Sequence, residues 1–232
     1  MARLPRIVLA GYPLHIMVKG HNAQDIFFSD DERRAYLEWL RDAAREYELA
    51  IHSFVLMPSH IHILATPKTP LSASRVMQSV SRRYAQMFNH NHQRTGTVWE
   101  GRFKSSLIEP EAYLLLCQKY IEQNPVRSGL VQTPEKWHWS SYRHHVGAET
   151  MPWIADHSLY WGLGNTPFER QLSWQKLMSE PLTNNDVIKV SNHLNYGWPM
   201  MTSSGHEKLA LKTTRPLVPR RAGRPKIIKP VI

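Results

Sequence analysis

Apolar positions along the first 125 residues switch between period two and period 3.6, so strands and helices can be told apart. Leu14-His15-Ile16-Met17-Val18-Lys19 alternates as a strand, and Gly20 and Asn22 end it. Ser29-Asp30-Asp31-Glu32 is a capping-box pattern, opening a helix with the apolar stripe Tyr36, Leu40, Ala43, Ala44 and Tyr47. Residues 51–56 read as a second strand, Met57-Pro58-Ser59 as a tight turn and residues 60–65 as a third strand, so the two strands form a hairpin. Thr69-Pro70-Leu71-Ser72 starts a second helix that runs to about Asn89, with the core stripe Val76, Met77, Val80, Tyr84, Met87 and Phe88. Residues 90–101 are polar and read as a loop, and residues 103–108 as a fourth strand. Pro110 stands at the first position of a third helix behind Glu109. That helix reaches Gln123 and stops at Asn124-Pro125, because the residue before proline avoids the helical region.

The order β-α-β-β-α-β followed by a helix is that of a ferredoxin-like plait: an α+β fold, an antiparallel sheet with two crossover helices on one face. The other face is then free to hold a site, and the third helix, an addition to the plait, can pack over it. Beyond Val131 the chain is rich in tryptophan (Trp137, Trp139, Trp153, Trp161, Trp174) and reads as irregular structure and short helices packed on the domain, with a short helix over 184–194. The last stretch is Pro-rich and basic, cannot bury a core, and is expected to be disordered alone. The chain divides into a domain over 1–145, an extension over 146–205 and a tail over 206–232.

Charge sharpens this division. The net charge is +10, which implies a polyanionic partner. From His206 onward eight basic residues face one acid, so the tail carries +7 of it. The body must therefore recognise its ligand by shape and chemistry. A single cysteine, Cys117, excludes an internal disulfide and fits a reducing compartment. The apolar stretch Ile7-Val8-Leu9-Ala10 is too short for a signal sequence, and no window approaches a membrane span, so a soluble, cytoplasmic protein is expected.

The candidate chemistry begins in the third strand. Side chains alternate along a strand, so His60 and His62 share a face, at a spacing suited to one divalent ion. Taken alone, His-x-His is more often two histidines on a polar strand face. Tyr120 and Asn124, four apart, share a face of the third helix. If that face looks down on the sheet, Asn124 can offer an amide oxygen to an ion held by His60 and His62. Tyr120 then stands beside it as a nucleophile towards a phosphodiester. Gln123 is the neighbouring amide, and Tyr113, one heptad earlier amid Leu114 to Leu116, is the rival nucleophile. Arg75 and Arg82 share a helix face with Arg83 beside it: either a solvated face or a row of phosphate contacts. His15 alternates with Ile16 and could face the site, whereas His52, His90, His92, His144 and His145 read as loop or surface residues.

His60-Ile61-His62 resembles the HUH motif of single-strand-specific tyrosine nucleases. Tyr120-Ile121-Glu122-Gln123-Asn124-Pro125-Val126-Arg127 resembles the tyrosine helix of the REP-associated tyrosine transposases, relatives of the IS200/IS605 transposases. Lys19-Gly20-His21-Asn22, Met57-Pro58-Ser59, residues 98–104 (Val-Trp-Glu-Gly-Arg-Phe-Lys) and Trp137-His138-Trp139-Ser140-Ser141-Tyr142 agree with that family in the same order. The resemblance covers roughly residues 10 to 145. It implies an enzyme that binds single-stranded DNA hairpins of the repetitive extragenic palindrome kind and nicks beside them, leaving a 5′-phosphotyrosine and a free 3′-hydroxyl. It further implies Tyr120 as nucleophile, His60, His62 and Asn124 as ligands of Mg²⁺ or Mn²⁺, and activity that falls below about pH 6.5 as imidazoles protonate. Lys19, Arg102, Lys104 and Arg127 become candidate DNA contacts beside Arg75, Arg82 and Arg83. Lysine at position 19, where relatives often carry arginine, makes only a point contact. In the tail, Arg221-Ala222-Gly223-Arg224-Pro225-Lys226 contains Gly-Arg-Pro, the core of a minor-groove hook, or else is an ordinary basic tail. Arg221, Arg224 and Lys226 would make that contact. By resemblance the tail suggests a monomer with its own clamp, the alternative being a dimer whose tyrosine serves the partner's site; the protein is expected to be nucleoid-associated and without a membrane partner. The competing function is a hairpin-binding regulator without turnover, which would have no need of the His-x-His, Tyr and Asn set.

Overall fold

The computed structural model describes residues 5–218. Four strands, β1 (Leu14–Lys19), β2 (Leu49–Leu56), β3 (His60–Pro67) and β4 (Lys104–Leu107), form one sheet in the order β2-β3-β1-β4. All three pairings are antiparallel. The first two helices, α1 (Asp30–Glu46) and α2 (Ser72–Asn91), cover one face, as the plait order predicts. Ser29 and Glu32 close the expected capping box at the start of α1, worth about 1 kcal/mol at the cap residue.

Burial fixes the register. Ile61, Ile63 and Ala65 of β3 join Leu14, Ile16 and Val18 of β1 in a core beneath α1 and α2. His62 and Leu64 point to the opposite face. A slip by one residue would turn the two isoleucines out and drive imidazoles under the helices. Burying each isoleucine is worth roughly 1.5–3 kcal/mol, so the packing that holds β3 also aims the histidines. Between Ile51 and Ser53 the ladder with β3 shifts, a bulge that puts His52 and Ser53 together on the face away from α1 and α2.

That second face is covered by α3 (Pro110–Glu122) and by α8 (Asn184–Tyr196), which share a core with Val55, Leu64, Ile108, Tyr120 and Met200. The chain turns directly from α3 into the short α4 (Asn124–Arg127). The extension also holds α5 (Tyr142–His145), α6 (Ser158–Trp161), α7 (Pro167–Ser179) and α9 (Ser203–Ala210). The expected helix at 184–194 is α8, two residues longer. The 13-residue α7 was not foreseen as a regular element, although Thr166 and Glu169 close a second capping box there.

The expected boundary at 205/206 falls inside α9. Leu209 is buried in the main core and Leu217 packs against it, so the tail up to residue 218 is docked rather than free. Met200 pairs with the exposed edge of β4 through Ile108, shielding that edge. Two of the histidines read as surface residues, His52 and His145, are buried, because each finds polar partners inside the fold. None of the helices among the described residues is long and apolar enough to cross a membrane.

Candidate active site

The turn before β3 is held by the segment that follows β1. Gly20 donates to the Ser59 carbonyl at 2.8 Å, and Ile26 donates to that of Pro58 at 2.7 Å. A Cβ at Gly20 would run into the Gln24 carbonyl and the Ile26 side chain, so only glycine fits there. Trp99 bridges to Gly20, and its indole donates to the Ser81 carbonyl of α2 at 2.9 Å. The Trp137 motif is likewise structural. The Trp137 indole donates to Leu56 O at 3.1 Å, and the backbone of 139–141 pairs alongside β2.

On this frame the two histidines of β3 meet α3 and α4. Asn124 Nδ2 lies 3.3 Å from His60 Nε2. The Tyr120 ring centre lies 5.8 Å from that of His62 and 5.7 Å from that of His15, both edge-on. Pro125 breaks the hydrogen-bond ladder, yet Gln123 keeps helical angles, so Tyr120 and Asn124 still present one side. His15, a possible site-facing residue from its strand position, lies 2.9 Å from His62 Nδ1 through its Nε2. Arg127 stacks 4.1 Å over the Tyr120 ring and donates to its carbonyl at 2.7 Å. Ser128 donates to Asn124 Oδ1 at 3.2 Å. Lys19, the register partner of His60, is paired with Glu100 at 3.3 Å.

Electrostatics suit ligation. Burial, then Lys19 and Arg127, lower the His60 pKa to about 4. Burial, reinforced by Arg127, lowers His15 to about 3, and His62 is depressed by burial and the neighbouring histidines. All three imidazoles are therefore held neutral at pH 7. The tautomers also fit. The Asn124 amide donates to His60 Nε2, so the His60 proton sits on Nδ1, towards Ser59 Oγ at 3.2 Å. His62 keeps its Nε2 lone pair in the tautomer that donates from Nδ1 to His15 Nε2, which leaves the buried His15 Nδ1 proton without an acceptor among the described residues. A half-turn of the Asn124 amide exchanges its NH₂ for Oδ1. Two neutral imidazoles and an amide oxygen form a donor set suited to a divalent cation.

The two alternatives in α3 are occupied elsewhere. Gln123 donates to the carbonyls of Met178 and Glu180 at 2.9 and 2.8 Å. Tyr113 accepts from Lys189 at 2.8 Å, beneath that ammonium. Among the charged candidates, Lys19 and Arg127 adjoin the histidines. Arg102 and Lys104 lie at the entry to β4, where Lys104 donates to Asn195. Arg75, Arg82 and Arg83 are exposed on α2, across the sheet from the histidines, and Arg83 stacks over Trp39 at 4.8 Å. Arg221, Arg224 and Lys226 lie outside the described residues.

Three features escaped the sequence reading. Ser191 of α8 is 2.9 Å from the Tyr120 hydroxyl, a contact across 71 residues with no local signal. Glu122, midway between Tyr120 and Asn124, is fully buried. Its carboxylate accepts from Ser53, Ser141, His145 and Trp174 at 2.6–3.1 Å. The sequence does not single it out, since α3 also carries Glu111 at its exposed start. Third, His144, His145 and Asp156 cluster with ligand atoms within 4.8 Å of one another. This trio does not suit a metal. Met151 N–H donates to His144 Nδ1, which leaves that proton on Nε2 and no lone pair facing Asp156. Burial opposes charge on His145, but Glu122 and Asp156 outweigh it and raise its pKa to about 9. It is a buried ion cluster.

The profile of the IS200-like transposase family matches residues 10–124, about half of the chain. A Haemophilus influenzae protein described as a REP-associated tyrosine transposase is 28% identical over 135 residues, which is 54% of this chain and 74% of the relative. A solved structure described as a REP-associated tyrosine transposase bound to a REP hairpin superposes with a TM-score of 0.52 at 20% identity. The match covers 68% of this chain and 92% of that one. The likeness to that structure is one of fold.

Proposed function

The chain belongs to the IS200-like transposase family, and from that premise we propose that it is a metal-dependent single-stranded DNA endonuclease and strand transferase acting beside DNA hairpins. The observation that carries this reading is the convergence of Tyr120 and Asn124 on His60 and His62 from a separate element. The resemblance to a hairpin-bound relative supports the substrate class, and the basic sequence suits it.

In this reading His60, His62 and Asn124 hold Mg²⁺ or Mn²⁺, which when bound polarises the scissile phosphodiester. Tyr120 Oη attacks phosphorus, the P–O3′ bond breaks, and the phenolic proton is lost as the 3′ oxygen gains one. The products are a 5′-phosphotyrosine and a 3′-hydroxyl. Reversal by another 3′-hydroxyl rejoins a strand without an external energy source. His15 holds the His62 tautomer, Ser128 holds the Asn124 amide, and Arg127 braces the tyrosine ring and adds positive charge near the phosphate. The protein acts in the cytoplasm on chromosomal repeats.

Incubation of a 3′-labelled single-stranded hairpin with Mn²⁺ tests this. The expected result is a labelled protein band that survives denaturing electrophoresis and is lost with His60→Ala. Tight hairpin binding with no such band under any divalent ion would favour the non-catalytic reading instead.

A further inference from the structure

A groove opens at the end of the sheet where β1 finishes and β3 and β4 begin. Its walls come from four parts of the chain: Arg6, the stretch Arg102-Phe103-Lys104, Tyr196 from the extension and Arg215 from the tail. Four of these six carry positive charge, and none of the described residues that line the groove is Asp or Glu. Arg6 is laid over the Phe103 ring at 3.6 Å, and Asn195 holds the Lys104 ammonium at 3.0 Å. Arg215 donates to Gly197 O through Nη2, while its buried Nε has no acceptor among the described residues. Arg102, Lys104 and Arg215 gathered without a carboxylate between them repel one another, and an anion in the groove relieves that repulsion. Tyr196 stands at the rim with 69% of its surface exposed.

The groove is joined to the nucleophile. In the sheet register His62 faces Met17, and Met17 faces Lys104. Paired residues share a face, so Lys104 lies two strand spacings, about 10 Å, from His62 on the same side. One face of α8 spans the same interval: Ser191 bonds Tyr120, and Asn195, one turn on, bonds Lys104.

We propose that this groove is a binding site for the single-stranded DNA that continues from the scissile phosphate, with phosphates on Arg102, Lys104 and Arg215 and a base stacked on Tyr196. This rests on the strand-cleavage reading for its orientation. An exposed aromatic beside clustered cations suits an unpaired strand, whose bases are free to stack, rather than a duplex. The site is half built from the extension and the tail, beyond the residues that match the family profile. The C-terminal region therefore serves substrate recognition as well as packing.

The test is fluorescence anisotropy on the full-length protein with EDTA present, so that no strand is cut. The probes are a blunt DNA stem-loop and the same stem-loop with an oligothymidine extension on its 5′ or its 3′ side. Wild type is expected to prefer at least one extended probe. Tyr196→Ala should reduce that preference roughly 5- to 100-fold, and Arg102→Ala should lower the salt slope for the extended probe by about one. Circular dichroism checks that both variants are folded, as their exposure predicts. Equal affinity of wild type for blunt and extended probes, or a preference untouched in both variants, overturns the proposal. The two readings fail separately. A Tyr196-dependent preference without a covalent band under Mn²⁺ sinks cleavage alone, and a covalent band without the preference sinks the groove alone.

Discussion

At the scale of single residues, the site depends on how one phenol is held. The Tyr120 ring is braced by Arg127 on one side and by two imidazole edges on another, and its hydroxyl is tied to Ser191. A nucleophile displaced by an ångström can lose about a hundredfold in rate. Ser191→Ala should therefore slow covalent adduct formation by roughly 10- to 100-fold while leaving the hairpin dissociation constant unchanged. Single-turnover kinetics beside a binding isotherm read both. An unchanged rate would mean that Ser191 only fills space. The sequence announced His60, His62, Tyr120 and Asn124, because each pair obeys a local period, two in the strand and four in the helix. Ser191 was hidden, because no local pattern reports how an extension docks.

At the scale of elements, α3 is fixed by a charge rather than by its apolar face alone. Glu122 collects four donors from β2, the turn before α5, α5 itself and α7. Breaking one partner of such a buried group typically costs about 3–5 kcal/mol, because the others are left unpaired. Glu122→Ala should lose stability of that order in urea unfolding, far more than Glu46→Ala on the same protein. Equal midpoints would refute the role given to the cluster. The strands and first two helices were legible because burial on alternating faces leaves a periodic trace. The bulge at His52 and the burial of His145 were not, since both arise from polar partners distant in sequence, Ala155 and Glu122. The row of Arg75, Arg82 and Arg83 shows the same limit. Helical spacing grouped them correctly, but only the fold reveals that they lie across the sheet from the histidines.

At the scale of the whole molecule, two buried histidines set opposite pH limits. His52 is neutral, lowered to about 4 by burial, so the unfolded chain takes up its proton first as pH falls below 6.5. His52 then costs folding stability up to about 1.4 kcal/mol per pH unit between 6.5 and 4, and His15, His60 and His62, also lowered by burial, steepen the same limb. His145, raised to about 9 against its burial by Glu122 and Asp156, behaves inversely. Its contribution is complete below pH 6.5 and fades as pH rises through 9. The melting temperature should therefore peak near pH 6.5 and fall on both sides. His145→Gln should flatten the alkaline limb at the expense of a lower maximum. A wild-type melting temperature constant from pH 6.5 to 9 would contradict the charged state assigned to His145.

The proposed function turns on one covalent bond. The direct measurement is mass spectrometry of tryptic peptides after wild-type protein has been trapped with a single-stranded hairpin and Mn²⁺ and the DNA digested away. The structure predicts a nucleotidyl phosphate on the peptide containing Tyr120, absent from Tyr120→Phe and retained in Tyr113→Phe. A modified Tyr113, or an adduct that persists in Tyr120→Phe, would contradict it.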